Sequence, residues 1–182
     1  MIKSFSGSYK DGSHLIHFSG HSHNARVKPS RLFAFTRNSV PSSYNGCGWI
    51  AFYNLTRLIF NDKDFVKVAS ETLNSFEKTV DLKGILGTSV FDMLRHLKEK
   101  YNSKYVDCKM RVMRRYRSAN IPRFGIIYYF TGHSFHYVMF ENNGFNFVFH
   151  NVESKVETRS MDEFEKKYIK CPFYIMFELN EV

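Results

Sequence analysis

The sequence predicts an α+β fold, with helices first and an antiparallel sheet second. Three observations carry this. From Cys47 to Phe60 large apolar residues (Trp49, Ile50, Phe52, Tyr53, Leu55, Leu58, Ile59) fill almost every position, as in a helix buried on most sides. Over Val90–Tyr101, Val90, Met93, Leu94 and Leu97 line one helical face, with Ser89 placed as N-cap and Asp92 at N3. From Tyr105 onward the apolar spacing changes to two, which predicts strands at Tyr105–Met113, Phe124–Phe130, Phe135–Glu141, Phe145–Asn151 and Phe173–Leu179. Between the last two, Ser160-Met161-Asp162-Glu163 reads as a capping box opening a short helix to Tyr168. Runs of helices followed by runs of strands place the chain in the α+β class.

The chain has 182 residues, of which 43% are hydrophobic and 17% aromatic, so a single domain has ample core material. A chain of this size buries roughly two-thirds of its unfolded surface. Residues 1–40 read as a polar N-terminal arm with short strands such as Leu32–Thr36, 41–104 as the helical part and 105–182 as the sheet part. No apolar run approaches the roughly 20 residues that span a bilayer. The opening MIKSFSGSYKDGSHL lacks the apolar stretch of a signal peptide. Three widely spaced cysteines argue against a disulfide framework and for a reducing compartment, the cytoplasm or a host cytoplasm.

A net charge of +9 favours acidic partners. Much of it sits in KMRVMRRYR, where Lys109, Arg111, Arg114, Arg115 and Arg117 surround Tyr116. Such a patch can contact phosphates, but without a recognition motif it reads first as a solvated strand end, with Val106, Cys108, Met110 and Val112 alternating with charged neighbours. His14, His17, His21 and His23 could ligate Zn²⁺ or Cu²⁺, yet their spacing matches no zinc motif and no Cys or carboxylate lies among them. No metal or other cofactor is therefore expected. Asn54-Leu55-Thr56 has the letters of a glycosylation sequon but falls inside the buried helix.

The chemistry points to Cys47. A thiol attacks as its thiolate, and a helix start offers N–H donors and partial positive charge that lower a thiol pKa. Cys47 stands where turn gives way to helix, between Gly46 and Gly48, which allow close approach of backbone and substrate. Cys108, on an alternating strand, and Cys171, before Pro172, read as small core residues.

A nucleophilic Cys needs a base, and the base an orienting partner. In FHYVMFENNGFNFVFHN, Asn143-Gly144 reads as a two-residue hairpin turn. That register opposes Phe140 to Phe147, Val138 to Phe149, and His136 to Asn151, with Cβ atoms about 4.5–5.5 Å apart. The Asn151 side chain would then orient His136 toward Cys47. His133, in the Thr131–Ser134 turn, and His150, on the opposite face, rank lower as bases, and Glu153 is the reserve orienter.

The order Cys…His…Asn, with NGCGWIAFYNL opening a helix and HYVMF opening a strand, resembles papain-like cysteine peptidases. The hairpin, the NVES segment and the capped MDEFEKKY helix look like compact bacterial C39-like peptidases. The spacing from His to the third residue is similar to that of picornaviral leader proteases, and the residues around the Cys to arterivirus and OTU-type enzymes. The resemblance spans residues 41–180. It implies a papain-like fold, a central helix carrying the Cys on an antiparallel sheet, and a triad of Cys47, His136 and Asn151 acting on a peptide or isopeptide bond. These peptidases often use an upstream Gln or Asn in the oxyanion hole. The chain has no Gln, which leaves Asn45 as the candidate. The expected partner is a polypeptide, acidic or ubiquitin-like. The alternatives are a transglutaminase-like acyltransferase on the same site, and a catalytically silent fold binding nucleic acid or protein through its basic face.

Overall fold

The computed structural model describes residues 34–35, 40–41, 46–60, 65–76, 80–81, 87–101, 106–114, 122–153 and 155–181. In chain order these form β1 (Ala34–Phe35), β2 (Val40–Pro41), α1 (Cys47–Phe60), α2 (Phe65–Phe76), β3 (Val80–Asp81), β4 (Gly87–Thr88), α3 (Val90–Tyr101) and β5 (Val106–Met113). Then follow β6 (Phe124–Phe130), β7 (Phe135–Asn142), β8 (Phe147–Val152), β9 (Lys155–Arg159), α4 (Met161–Tyr168) and β10 (Tyr174–Glu181). The class is α+β, built around a six-stranded sheet of order β5-β10-β6-β7-β8-β9 in which all neighbours run antiparallel. β1–β2 and β3–β4 are separate two-stranded pairs.

The sheet is covered on both faces. On one side α1, α2 and α3 pack Trp49, Ile50, Tyr53, Leu55, Met93 and Leu97 against Ile126, Tyr137, Met139, Phe177 and Leu179. On the other, α4 packs Met161, Phe164 and Tyr168 against Ile127, Tyr129, Val138, Phe140, Phe149 and Met176. Double burial explains why FGIIYYF and HYVMF are near-continuous apolar runs rather than clean alternations. α1 is buried from Cys47 through Arg57, Asn54 included. The Thr56 and Tyr101 hydroxyls share a 2.6 Å hydrogen bond that ties α1 to α3.

Local chemistry sets the ends of the helices. The Ser160 hydroxyl accepts from the Glu163 N–H at 3.3 Å, while the Glu163 carboxylate accepts from the Ser160 N–H at 3.1 Å, closing the expected capping box. Ser89 opens α3, its carbonyl accepting from the Met93 N–H at 2.9 Å. The short β9 was not anticipated: KVETR carries only one apolar residue, and the register against β8 rather than composition makes it a strand.

The β7–β8 register differs from the sequence expectation by two residues. Phe140 pairs with Phe149 and Asn142 with Phe147, leaving Asn143, Gly144, Phe145 and Asn146 as a four-residue loop. Asparagine side chains build this loop. Asn143 Oδ1 accepts from the N–H groups of Phe145 and Asn146 at 3.2 and 2.8 Å, and Asn142 Oδ1 accepts from Gly144 at 2.9 Å. Gly144 takes the left-handed conformation (φ 91°) that the loop requires. The wider loop turns Phe145 outward, 95% exposed, which a strand position in the expected register would not have done.

One smaller expectation also fails. Cys171 is half-buried at a bend rather than in the core, because Cys171-Pro172 precedes β10 instead of joining it.

The register is directly measurable. A strong Hα–Hα nuclear Overhauser contact is expected between Asn142 and Phe147, a pair adjacent to the Asn143 N–H···O=C Asn146 bond and therefore of the closely spaced type. A strong contact between Glu141 and Asn146 instead, the first closely spaced pair beyond a two-residue turn, would restore that turn.

Candidate active site

The first turn of α1 forms without a side-chain cap. Gly46 occupies the N-cap position, its carbonyl accepting from the Ile50 N–H at 3.1 Å. The first N–H groups of a helix have no partner within the helix. Here those of Cys47 and Gly48 bear on the Cys47 sulfur, joined by the N–H of Tyr137 on β7. Gly48 is required for this approach: a Cβ at that position would come within 2.5 Å of Thr88 Oγ1. The Thr88 carbonyl in turn accepts from the Tyr137 hydroxyl at 3.0 Å, so β4 clamps the start of α1 to β7.

Why the Tyr137 N–H is available follows from strand alternation. The Thr131 N–H donates to the Ser134 carbonyl at 2.8 Å and closes the β6–β7 turn. Counting back, Tyr129 and His136 form the next pair that exchanges bonds, and Tyr137, the residue after His136, turns its N–H away from β6. On that outer side the β7–β8 ladder stops at Met139 and His150. The Cys47 sulfur thus takes a position at β7 that a β8 carbonyl would otherwise fill.

The ladder stops because β8 bends. Asn151 and Glu153 adopt left-handed conformations (φ 70° and 45°), and the register against β9 shifts between His150 and Val152. The bend carries the Asn151 carbonyl to 2.8 Å from His136 Nε2. A carbonyl only accepts, so Nε2 carries a proton. The His136 ring is buried, with the Tyr129 ring edge-on at 5.9 Å between centroids.

The structure therefore corrects the third position. The Asn151 side chain does not hold His136; its main-chain oxygen does, and Oδ1 and Nδ2 are buried without a hydrogen-bond partner. The cause is the slipped register together with the left-handed turn. Glu153, formally two residues on, is exposed in that turn.

A second correction concerns the thiol. Burial pushes the Cys47 pKa up to about 11, and the N–H groups of Tyr137, Gly48 and Cys47 pull it down by less. The helix-start donors are present as expected, but desolvation of a side chain only 5% exposed outweighs them.

The remaining candidates separate clearly. His133 is exposed in the Thr131–Ser134 turn. His150 is buried on the helix-bearing face as the β8 partner of Met139. Cys47 belongs to the helix-side core, whereas His136 alternates onto the α4 side with Val138 and Phe140. Asn45 and the His14–His23 cluster lie outside the described residues. Of the basic segment, Lys109 pairs with Asp107 at 2.8 Å and Arg111 with the buried Glu178 at 3.0 Å, while the Arg114 guanidinium sits over the Phe173 ring. Among the described residues no helix is long and apolar enough to cross a membrane. Comparison with protein-family models, curated proteins and solved structures finds no match.

The thiol shift has a stability consequence. Cys47 and Cys108, both raised to about 11, hold their protons in the fold above the pH at which an unfolded thiol, near 8.5, loses them. The folded state binds more protons in that window, so stability falls as pH rises from about 8.5 toward 11. Urea midpoints should be flat at neutral pH and decline above about pH 9. Cys47→Ala should flatten part of the decline, and an unchanged slope would contradict the burial of this thiol.

Proposed function

We propose that the chain is a papain-like thiol hydrolase, with Cys47 as nucleophile and His136 as general base, acting on a peptide or isopeptide bond of a polypeptide. One observation carries this reading. The sulfur of a cysteine opening a helix rests on the N–H of Tyr137, and the residue before it presents an imidazole held by the Asn151 carbonyl. Nucleophile, base and orienter are the three parts that covalent catalysis by a thiol needs.

The raised thiol pKa determines the order of events. With the Cys47 proton held to about pH 11, a resting thiolate–imidazolium pair is not the starting state. His136 Nδ1 takes the proton as sulfur attacks the scissile carbonyl. It returns that proton to the leaving amine when the tetrahedral intermediate collapses to a thioester. Water, deprotonated by the same ring, then releases a carboxylate and restores the thiol. Transfer to an amine in place of water would make the same site an acyltransferase. The +9 charge favours an acidic or ubiquitin-like substrate.

The burial of Cys47, 5% exposed, favours a second reading: a silent fold that binds an acidic partner through its basic face. An electrophilic peptide probe library separates them. A substrate-like probe should label Cys47 at pH 7.5, and His136→Ala should slow labelling about 10²–10⁴-fold. Small iodoacetamide should instead reach the half-buried Cys171 first. Failure of every probe to label Cys47 would leave the silent reading.

The main-chain orienter gives a distinct expectation at position 151. Asn151→Gly keeps the carbonyl and suits a positive φ, so labelling of Cys47 should stay within a few-fold of the wild-type rate. Asn151→Ala should mainly lose stability, by about 1–2 kcal/mol for the left-handed backbone. A collapse of labelling in Asn151→Gly, in a protein that still folds, would return the orienting role to the side chain.

A further inference from the structure

We propose that the exposed end of the helix-side sheet face seats the polypeptide substrate, gripping an aromatic or long aliphatic side chain near the scissile bond and a carboxylate about four residues away. The role of substrate rests on the hydrolase reading above. Register builds the surface. Val112, Ile175, Tyr128 and Tyr137 oppose one another across β5, β10, β6 and β7, so their side chains form one row on a single face. Two residues closer to the β6–β7 turn, Phe130 opposes Phe135. The surface deepens toward the start of α1. Val112 and Phe135 are 68% and 53% exposed, Ile175, Tyr128 and Phe130 are half-buried, and Tyr137 is buried in the same core as Cys47. The rings are continuous, Phe135 stacking on Tyr128 at 5.1 Å and Tyr128 meeting Tyr137 at 4.5 Å.

Three features choose the occupant. The first is continuity with the candidate site. The Tyr137 hydroxyl donates to the Thr88 carbonyl at 3.0 Å, and Thr88 Oγ1 lies 2.5 Å from where a Cβ of Gly48 would stand, so the buried end of the row abuts the first turn of α1. Phe135 is two strand residues, about 7 Å, from Tyr137. The second is charge. Just past the ends of β5 and β10, the Arg114 guanidinium sits over the Phe173 ring at 5.1 Å. The carboxylates that line a cavity with Arg114 have other partners: Asp162 pairs with Lys166 at 3.6 Å, and Glu165 accepts from the Tyr174 hydroxyl at 2.6 Å. β5 stands three strand spacings from β7, about 14 Å, which an extended peptide covers in about four residues. The third is ring geometry. Phe135 lies against Tyr128 at 11° and Phe173 beneath Arg114, so each ring has one face taken, which suits an inserted side chain better than a run of stacked bases. A second copy of the chain is disfavoured by the net charge of +9 on each.

The test is binding to the full-length Cys47→Ala chain, followed by amide chemical shifts in NMR. The probes are Ac-Glu-Ser-Ser-Ser-Phe-Gly-amide and its reverse, Ac-Gly-Phe-Ser-Ser-Ser-Glu-amide. One of them should bind with shifts centred on Val112, Tyr128 and Phe135. Replacing its Phe by Ser, or its Glu by Lys, should weaken binding about tenfold, as should Phe135→Ser in the protein. Arg114→Glu should reverse the preference between the Glu and Lys peptides. No binding of either probe would overturn the proposal, and so would affinities indifferent to both peptide substitutions, a comparison that needs no protein variant. Oligothymidylate producing these shifts where the peptides do not would overturn it in favour of nucleic acid. Shifts that move with protein concentration alone would assign the face to a second copy. The hydrolase reading is checked apart, by labelling of wild-type Cys47 with Ac-Glu-Ser-Ser-Ser-Phe vinyl sulfone. Peptide binding without any such labelling would uphold the docking surface and overturn the hydrolase reading instead.

Discussion

The start of α1 is fixed by steric closeness rather than by a cap, and the candidate site depends on it. With Gly48 against Thr88 and the Tyr137 hydroxyl on the Thr88 carbonyl, there is no room for the helix to move away from β7. A side chain at position 48 would force the helix back, and the sulfur would leave the Tyr137 N–H. The rest of α1 reinforces the placement, since Ile50, Ala51, Tyr53 and Leu55 are completely buried in the helix-side core. Position is thus set by a core of several side chains and refined by one missing Cβ.

That arrangement leaves β7 with a free outer edge at its first residues, and the sequence must supply something other than a strand there. It supplies the sulfur on one side and the Asn151 carbonyl on the other. Asparagine tolerates positive φ better than most residues, so β8 can bend at 151 without glycine. The bent main chain makes a hydrogen bond to His136. The same bend also sets the register shift to β9 and delivers the chain to the α4 capping box.

Much of this was legible in the sequence. The α1 and α3 bounds, the β6 bounds and the α4 capping box all follow from periodicity and end signals, which are local. The places of Cys47 and His136 in the fold were legible for the same reason: each sits at the first turn or first residues of a strongly patterned element. The orienter was not. It depends on whether Asn143-Gly144 closes a two-residue turn or whether the Asn142 and Asn143 side chains widen the loop, and both use the same letters. Composition cannot rank side-chain turns against a backbone turn, and an error of two residues preserves the facing pattern, so alternation gives no warning. The thiol shift was hidden for a different reason. Donors at a helix start are visible in sequence, but the depth of burial opposing them is a tertiary property.

Two thiols in this fold have the same shift and opposite surroundings. Cys108 and Cys47 are each raised to about 11, with burial as the largest cause in both. The Cys108 S–H donates to the Leu97 carbonyl at 3.5 Å, with Asp107 nearby, a setting that favours the neutral thiol in hydrogen bonding as well as in solvation. Cys47 meets the reverse: the N–H groups of Tyr137, Gly48 and Cys47 itself favour the anion that burial opposes. The direction of the hydrogen bonds, more than the size of the shift, is what distinguishes the first cysteine of α1 from the one on β5.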